Sequence, residues 1–75
     1  MRRVRVDSSS IASIGYEPAT RQFEIEFRES GDVYRYFDVP REEYAAFLAA
    51  DSKGTYLNQV FKERNYRYRL VRRGT

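Results

Sequence analysis

The stretch Phe23-Glu24-Ile25-Glu26-Phe27 most constrains what this chain can become. Apolar and charged side chains alternate with a period of two, the pattern of a strand with one buried and one solvated face. Phe23, Ile25 and Phe27 are expected to point inward, and Glu24 and Glu26 into water. A half-buried strand needs antiparallel neighbours. The next run, Val33-Tyr34-Arg35-Tyr36-Phe37, supplies one, and Glu29-Ser30-Gly31-Asp32 between them reads as a hairpin turn because Gly31 tolerates positive φ. A two-residue loop at Ser30-Gly31 places Phe27 opposite Tyr34, Ile25 opposite Tyr36 and Glu26 opposite Arg35. A slip of one residue would turn Arg35 into the core, at a cost on the order of several kcal/mol. Tyr34 and Tyr36 are therefore expected to face the core, with their hydroxyls at its rim.

The remaining elements follow from the same rules. Ser10 to Tyr16 forms a further strand, with Ala12, Ile14 and Tyr16 on one face, and Glu17-Pro18-Ala19-Thr20 turns it back. Val39-Pro40 ends the sheet run and opens a helix, since proline suits a first turn and Glu42 and Glu43 complement the helix dipole. Tyr44, Phe47 and Leu48 mark its buried stripe, while the two glutamates are assigned to a solvated face. Ser52 caps a second helix, with Leu57, Val60 and Phe61 as its stripe and Asn65 as its stop. Tyr66 to Val71 alternates again, as an extra C-terminal strand or arm. The expected fold is α+β: a three-stranded antiparallel meander followed by two short helices packed on one sheet face. One domain covers residues 8–68, with basic extensions at 1–7 and 69–75.

The chain has 75 residues, no cysteine and no histidine. A domain this small, without disulfides or thiolate metal ligands, must build its core from aromatics, and seven tyrosines and five phenylalanines supply them. Nothing in the sequence activates the Ser8-Ser9-Ser10 run as a nucleophile, and no acid–base constellation converges. The sequence thus predicts a non-catalytic protein without cofactor or metal. The absence of cysteine, of a signal pattern and of any apolar run near the roughly 20 residues that span a bilayer predicts a cytoplasmic protein not embedded in membrane.

Charge is unevenly spread. Residues 1–5 carry a net +3 and residues 62–75 a net +5, while residues 6–61 carry a net −5. Basic ends on an acidic globule suit a polyanionic partner as well as they suit solubility. Tyr66 and Tyr68 interleave with Arg67 and Arg69, the combination that stacks bases and meets phosphates. The expected contact residues are Lys53, Lys62, Arg64, Tyr66, Arg67, Tyr68, Arg69, Arg72 and Arg73. Lys53 enters because Ser52-Lys53-Gly54-Thr55 opens a helix with free N–H groups, although an ordinary cap explains that start as well.

The ordered set Ser8-Ser9-x-Ile11-x-x-Ile14-Gly15-Tyr16, Tyr34-Arg35-Tyr36, Val39-Pro40 and Ala50-x-Ser52-x-Gly54-x-Tyr56-x-Asn58 resembles the KTSC domain. That small domain occurs alone in bacterial proteins and at the C-terminus of some lysyl-tRNA synthetases. The resemblance implies an RNA- or tRNA-binding module. The competing expectation is a protein-interaction or self-associating domain, possible through edge strands or through an outer apolar patch of Val33, Phe37 and Ile11. Glu24 and Glu26 on the outer sheet face argue against an open-sheet RNA platform.

Overall fold

The computed structural model describes residues 1–74; Thr75, the last residue of the expected basic extension, lies outside the described residues. Strands β1 (Val4–Arg5), β2 (Ile11–Glu17), β3 (Gln22–Phe27), β4 (Val33–Tyr36) and β5 (Tyr68–Arg72) form one antiparallel sheet in sequence order. Helix α1 (Arg41–Ala49) and a second helix beginning with α2 (Lys53–Tyr56) stand between β4 and β5. The meander is longer than three strands, because both basic ends contribute to it. Without β1 and β5, β2 and β4 would be edge strands with open hydrogen-bonding groups.

The β3–β4 hairpin keeps the expected faces but not the expected register. Phe23 lies opposite Tyr36, Ile25 opposite Tyr34 and Glu24 opposite Arg35. The turn spans four residues, 28–31, rather than two. It is closed by Phe27 N–H donating to the Asp32 carbonyl at 2.9 Å and Gly31 N–H donating to the Phe27 carbonyl at 2.8 Å. Gly31 has φ +75°, a conformation open to glycine. A displacement of two residues preserves which side chains face inward, so Tyr34 and Tyr36 remain on the helix side. It also hands Arg35 from Glu26 to Glu24.

In β2, Ala12 is the extra residue of a β-bulge: Ile11 pairs with Phe27, whereas Ser13 pairs with Glu26. The core-side residues are thus Ile11, Ile14 and Tyr16, and not the Ala12-Ile14-Tyr16 set that unbroken alternation predicts. Eight side chains form the core between sheet and helices: Ile11, Ile14, Phe23, Ile25, Val39, Phe47, Leu57 and Phe61. Phe23 sits at its centre, with Phe47 and Phe61 edge-on at 5.2 and 5.4 Å between ring centroids. Such pairs add to the gain from area alone.

Helix α1 departs from its expected stripe. Phe47 is buried and Tyr44 half-buried, but Leu48 is 43% exposed, and Glu43 is buried at 6%. Ser52 caps the second helix as expected, its Oγ accepting from the Thr55 N–H at 3.2 Å. The helix then widens into a π-helical turn over Leu57–Phe61, tightens over Lys62–Arg64 and stops at Asn65, which is left-handed at φ +59°. Leu57 and Phe61, four residues apart and hence on one side of the helix, both enter the core.

Candidate nucleic-acid interface

Strand β5 carries three of the nine predicted contact residues, Tyr68, Arg69 and Arg72, and as the edge strand it sends them to two opposite faces. Tyr68 lies opposite Tyr36 and Leu70 opposite Tyr34, on the helix side. Arg69 lies opposite Arg35, and Arg72 opposite Val33, on the outer side. The odd spacing of the two arginines arises from a bulge in which Val71 is the extra residue.

On the outer face, Glu24 lies in the middle of the sheet at 3% exposure and does not face water. Arg3 donates to its Oε1 at 2.9 Å, and Arg35 reaches its Oε2 through Nε at 2.9 Å and Nη2 at 2.6 Å. Arg3 also donates to Ser13 Oγ at 3.1 Å, and the Ser13 hydroxyl donates to Glu26 Oε1 at 2.7 Å. Arg3 reaches this position because β2 carries glycine beneath it. A Cβ at Gly15 would stand 2.7 Å from the Arg2 carbonyl oxygen and 3.2 Å from Arg3 Cα. Arg5 is paired with Ser13 and joins the same face. The face therefore holds Arg3, Arg5, Arg35, Arg69 and Arg72 against Glu24 and Glu26, a basic balance that the sequence pattern concealed. Val33 on this side is buried at 1%, and Ile11 belongs to the core, so neither supplies the expected apolar patch. The Phe37 ring lies under the Arg67 guanidinium at 5.5 Å, and Arg67 also contacts Asp38 at 3.3 Å.

The helix side of β3–β4–β5 opens into a groove of about 960 Å³ beyond the end of the second helix. Its floor is a run of aromatic rings. Phe27 meets Tyr34 at 5.8 Å, Tyr34 meets Tyr68 at 5.7 Å, and Tyr68 meets Tyr36 at 5.4 Å. Tyr36 closes the run against Phe61 at 4.9 Å, which anchors it to the core. Burial, followed by the neighbouring hydroxyls of Tyr68 and Tyr34, pushes the Tyr36 phenol up to about 12. Tyr68 is 61% exposed, the most accessible ring of the set. Glu29, Ser30 and Asp32 line the hairpin end, and Lys62, Asn65 and Tyr66 the helix end.

Glu43 binds the chain's last third to α1. Its Oε2 accepts from the Tyr56 hydroxyl at 2.5 Å, and its Oε1 accepts from the Tyr66 hydroxyl at 2.8 Å and Arg64 Nε at 2.7 Å. Burial alone would raise the carboxyl; the Tyr56 and Tyr66 hydroxyls and the Arg64 guanidinium outweigh it and hold the carboxyl below its usual range. Burial and the same carboxylate push the Tyr66 phenol up to about 12.

The nine predicted residues thus divide. Lys62, Tyr66 and Tyr68 meet at the groove, with Tyr66 also held by Glu43. Arg69 and Arg72 lie on the outer face, and Arg73 is exposed beyond them. Arg64 is engaged with Glu43, and Arg67 with Phe37 and Asp38. Lys53 stands apart in a polar cleft of about 410 Å³ beside Ser8, Ser9 and Ser10, its ammonium donating to the Ala50 carbonyl at 2.8 Å. The serines shape the backbone: Ser8 Oγ accepts from the N–H groups of Ser10 and Ile11, both at 3.2 Å. Sequence reasoning missed Arg3, Arg5 and Arg35 as members of one face, and Tyr34 as groove floor. The signal available for Arg3 was Gly15, which marks a close backbone approach within a strand.

A five-stranded meander with both helices on one face, an aromatic groove on that side and arginines on the other defines a small α+β domain. Residues 7–68 match the KTSC domain, and the chain belongs to that family. It is 41% identical to a KTSC domain protein from Yersinia pestis of known crystal structure, with a TM-score of 0.87 over 95% of this chain and 97% of that one. It is 52% identical over 68 residues to a protein from Stutzerimonas stutzeri, covering 91% of this chain and 94% of that one. A protein from Tsukamurella paurometabola is 39% identical over 59 residues, with 79% and 87% covered. No helix among the described residues is long and apolar enough to cross a membrane.

Proposed function

We propose that this domain is a non-catalytic module for single-stranded RNA, bound across the β5 edge. The observation that carries this is the division of β5: exposed Tyr68 on one side, and Arg69 and Arg72 beside Arg35 on the other. Phosphates meet the outer-face arginines, and an unpaired base turns over the edge to stack on Tyr68. Base–aromatic stacking and a basic groove are the two ingredients of single-strand binding. The objection from Glu24 weakens, because two arginines already neutralise that carboxylate.

Titration of labelled protein with a short single-stranded RNA, at low and at moderate salt, tests this. The expected result is saturable amide shifts centred on β5 and an affinity that falls steeply with salt. Paired Arg69→Gln and Arg72→Gln changes should flatten the salt slope, whereas Tyr68→Ala should weaken binding with the slope intact. No saturable shift at low salt overturns the proposal. A mass that rises with protein concentration in light scattering, without RNA binding, favours self-association instead.

A further inference from the structure

The groove beside Tyr68 has an uneven polar rim, and this points to what it selects. At the hairpin end Glu29 and Asp32 line it. Asp32 Oδ1 already accepts from the Gly74 N–H at 2.9 Å. Glu29 is exposed in the turn and lines the groove, and its carboxylate carries no hydrogen bond or ion pair among the described residues. Across the groove, the helix end contributes the donors Lys62 and Asn65. An ionised carboxylate is an acceptor only and takes two parallel donors at once. A flat aromatic ring lying on Tyr68 would meet an acceptor pair on one side and donors on the other.

From this arrangement we infer that the groove is a base pocket selective for guanine. The inference rests on the RNA-binding proposal above. Guanine presents N1–H and the N2 amino group side by side, matched to Glu29, with O6 adjacent as an acceptor for Lys62 or Asn65. Adenine and cytosine each offer one amino donor next to a ring acceptor, which a carboxylate repels. Uracil offers a single N–H flanked by two carbonyls. The acids of the groove and the arginines of the outer face then do different things. The carboxylate reads the base, while the phosphates run along the far side of β5, next to Arg69.

The test uses the full chain and a short uridine oligoribonucleotide, with uridine, guanosine, adenosine, cytidine or inosine at its centre. The guanosine strand should bind roughly tenfold more tightly than the uridine strand, in the range typical of a bidentate base contact. Inosine, which lacks the N2 amino group, should fall between them. Glu29→Gln, in an exposed turn, should abolish the preference, so that the guanosine and uridine strands bind alike. Equal affinity for all five strands overturns the guanine pocket while leaving RNA binding in place, as does a guanosine preference that survives Glu29→Gln. No binding of any strand at low salt overturns both. Shifts of Tyr34 and Tyr68 with arginine amide, and none with RNA, overturn the pocket in favour of a cationic side chain as its occupant.

Discussion

Tyr66 donates its hydroxyl to Glu43 at 2.8 Å across 23 positions of sequence, tying the segment that leads into β5 back to the first turn of α1. The Glu43 carboxylate is buried and accepts from Tyr56 and Arg64 as well. Removing it leaves two phenol groups without their acceptor. Glu43→Ala should lower stability by about 2–3 kcal/mol, judged from the penalty for half-buried polar groups left unpaired. For a domain of this size that is a drop in Tm of roughly 10 °C or more by thermal melting. Tyr66→Phe, which removes one of the donors, should cost about 1 kcal/mol. Equal melting of Glu43→Ala and the parent would show that the cluster contributes nothing.

The same cluster sets the acid limit of the fold. Glu43 has its carboxyl lowered in the folded state, so the folded chain binds that proton less readily than the unfolded chain. Its contribution is complete above the ordinary carboxyl range and is lost as pH falls through the lowered folded value. Stability measured by denaturant should decline on acidification. In Glu43→Gln this part of the decline should be absent.

At the alkaline end the sign reverses. Tyr36 and Tyr66 titrate at about 12 in the folded chain, against 10.0 as ordinary phenols. Between those values the unfolded chain ionises first, so stability present below the ordinary value is lost as pH rises towards 12. Absorbance of tyrosinate should show the Tyr36 and Tyr66 phenols titrating late and together with unfolding, with Tyr56, raised by burial and by Glu43, also delayed. Tyr36→Phe should remove one of the late steps. Tyr36→Ala, which withdraws the ring packed on Phe61, should cost about 3 kcal/mol.

Gly15→Ala tests how β1 is held. The added methyl collides with the Arg2 carbonyl and the Arg3 backbone, so the N-terminal strand must lift. Amides of Val4 and Arg5 should lose exchange protection while β3 and β4 keep theirs. Lifting β1 also withdraws Arg3 from Glu24. Retained protection at Val4 would show that the strand adjusts without release.

How much of this was legible beforehand depended on distance along the chain. The alternation of Phe23 to Phe27, the cap at Ser52 and the stop at Asn65 are local signals, and each lies where the sequence puts it. The faces of Tyr34 and Tyr36 followed from the period of two, but their exact partners did not. The loop adopted four residues instead of two, and period-two logic is blind to a shift of two. Glu43 was misassigned because a charged side chain next to an apolar stripe reads as solvated. Its burial depends on Tyr56, Arg64 and Tyr66, none of them within its own helix. Glu24 failed in the same way, since Arg3, just before β1, and Arg35, on β4, cover it. Of the candidate interface, the Tyr–Arg alternation was visible. The division of those residues between two faces needed the strand and its bulge.

The sheet's two rims have a consequence for behaviour at high concentration. β1 is only two residues long, and β5 is bordered by Arg67, Arg69, Arg72 and Arg73. A second copy that tried to extend the sheet along β5 in antiparallel fashion would set guanidinium against guanidinium. Short rims and like charge are how sheet proteins avoid stacking into fibrils. The arginines that the proposal assigns to phosphate would thus also disfavour edge-to-edge pairing of free molecules, an effect that added salt weakens.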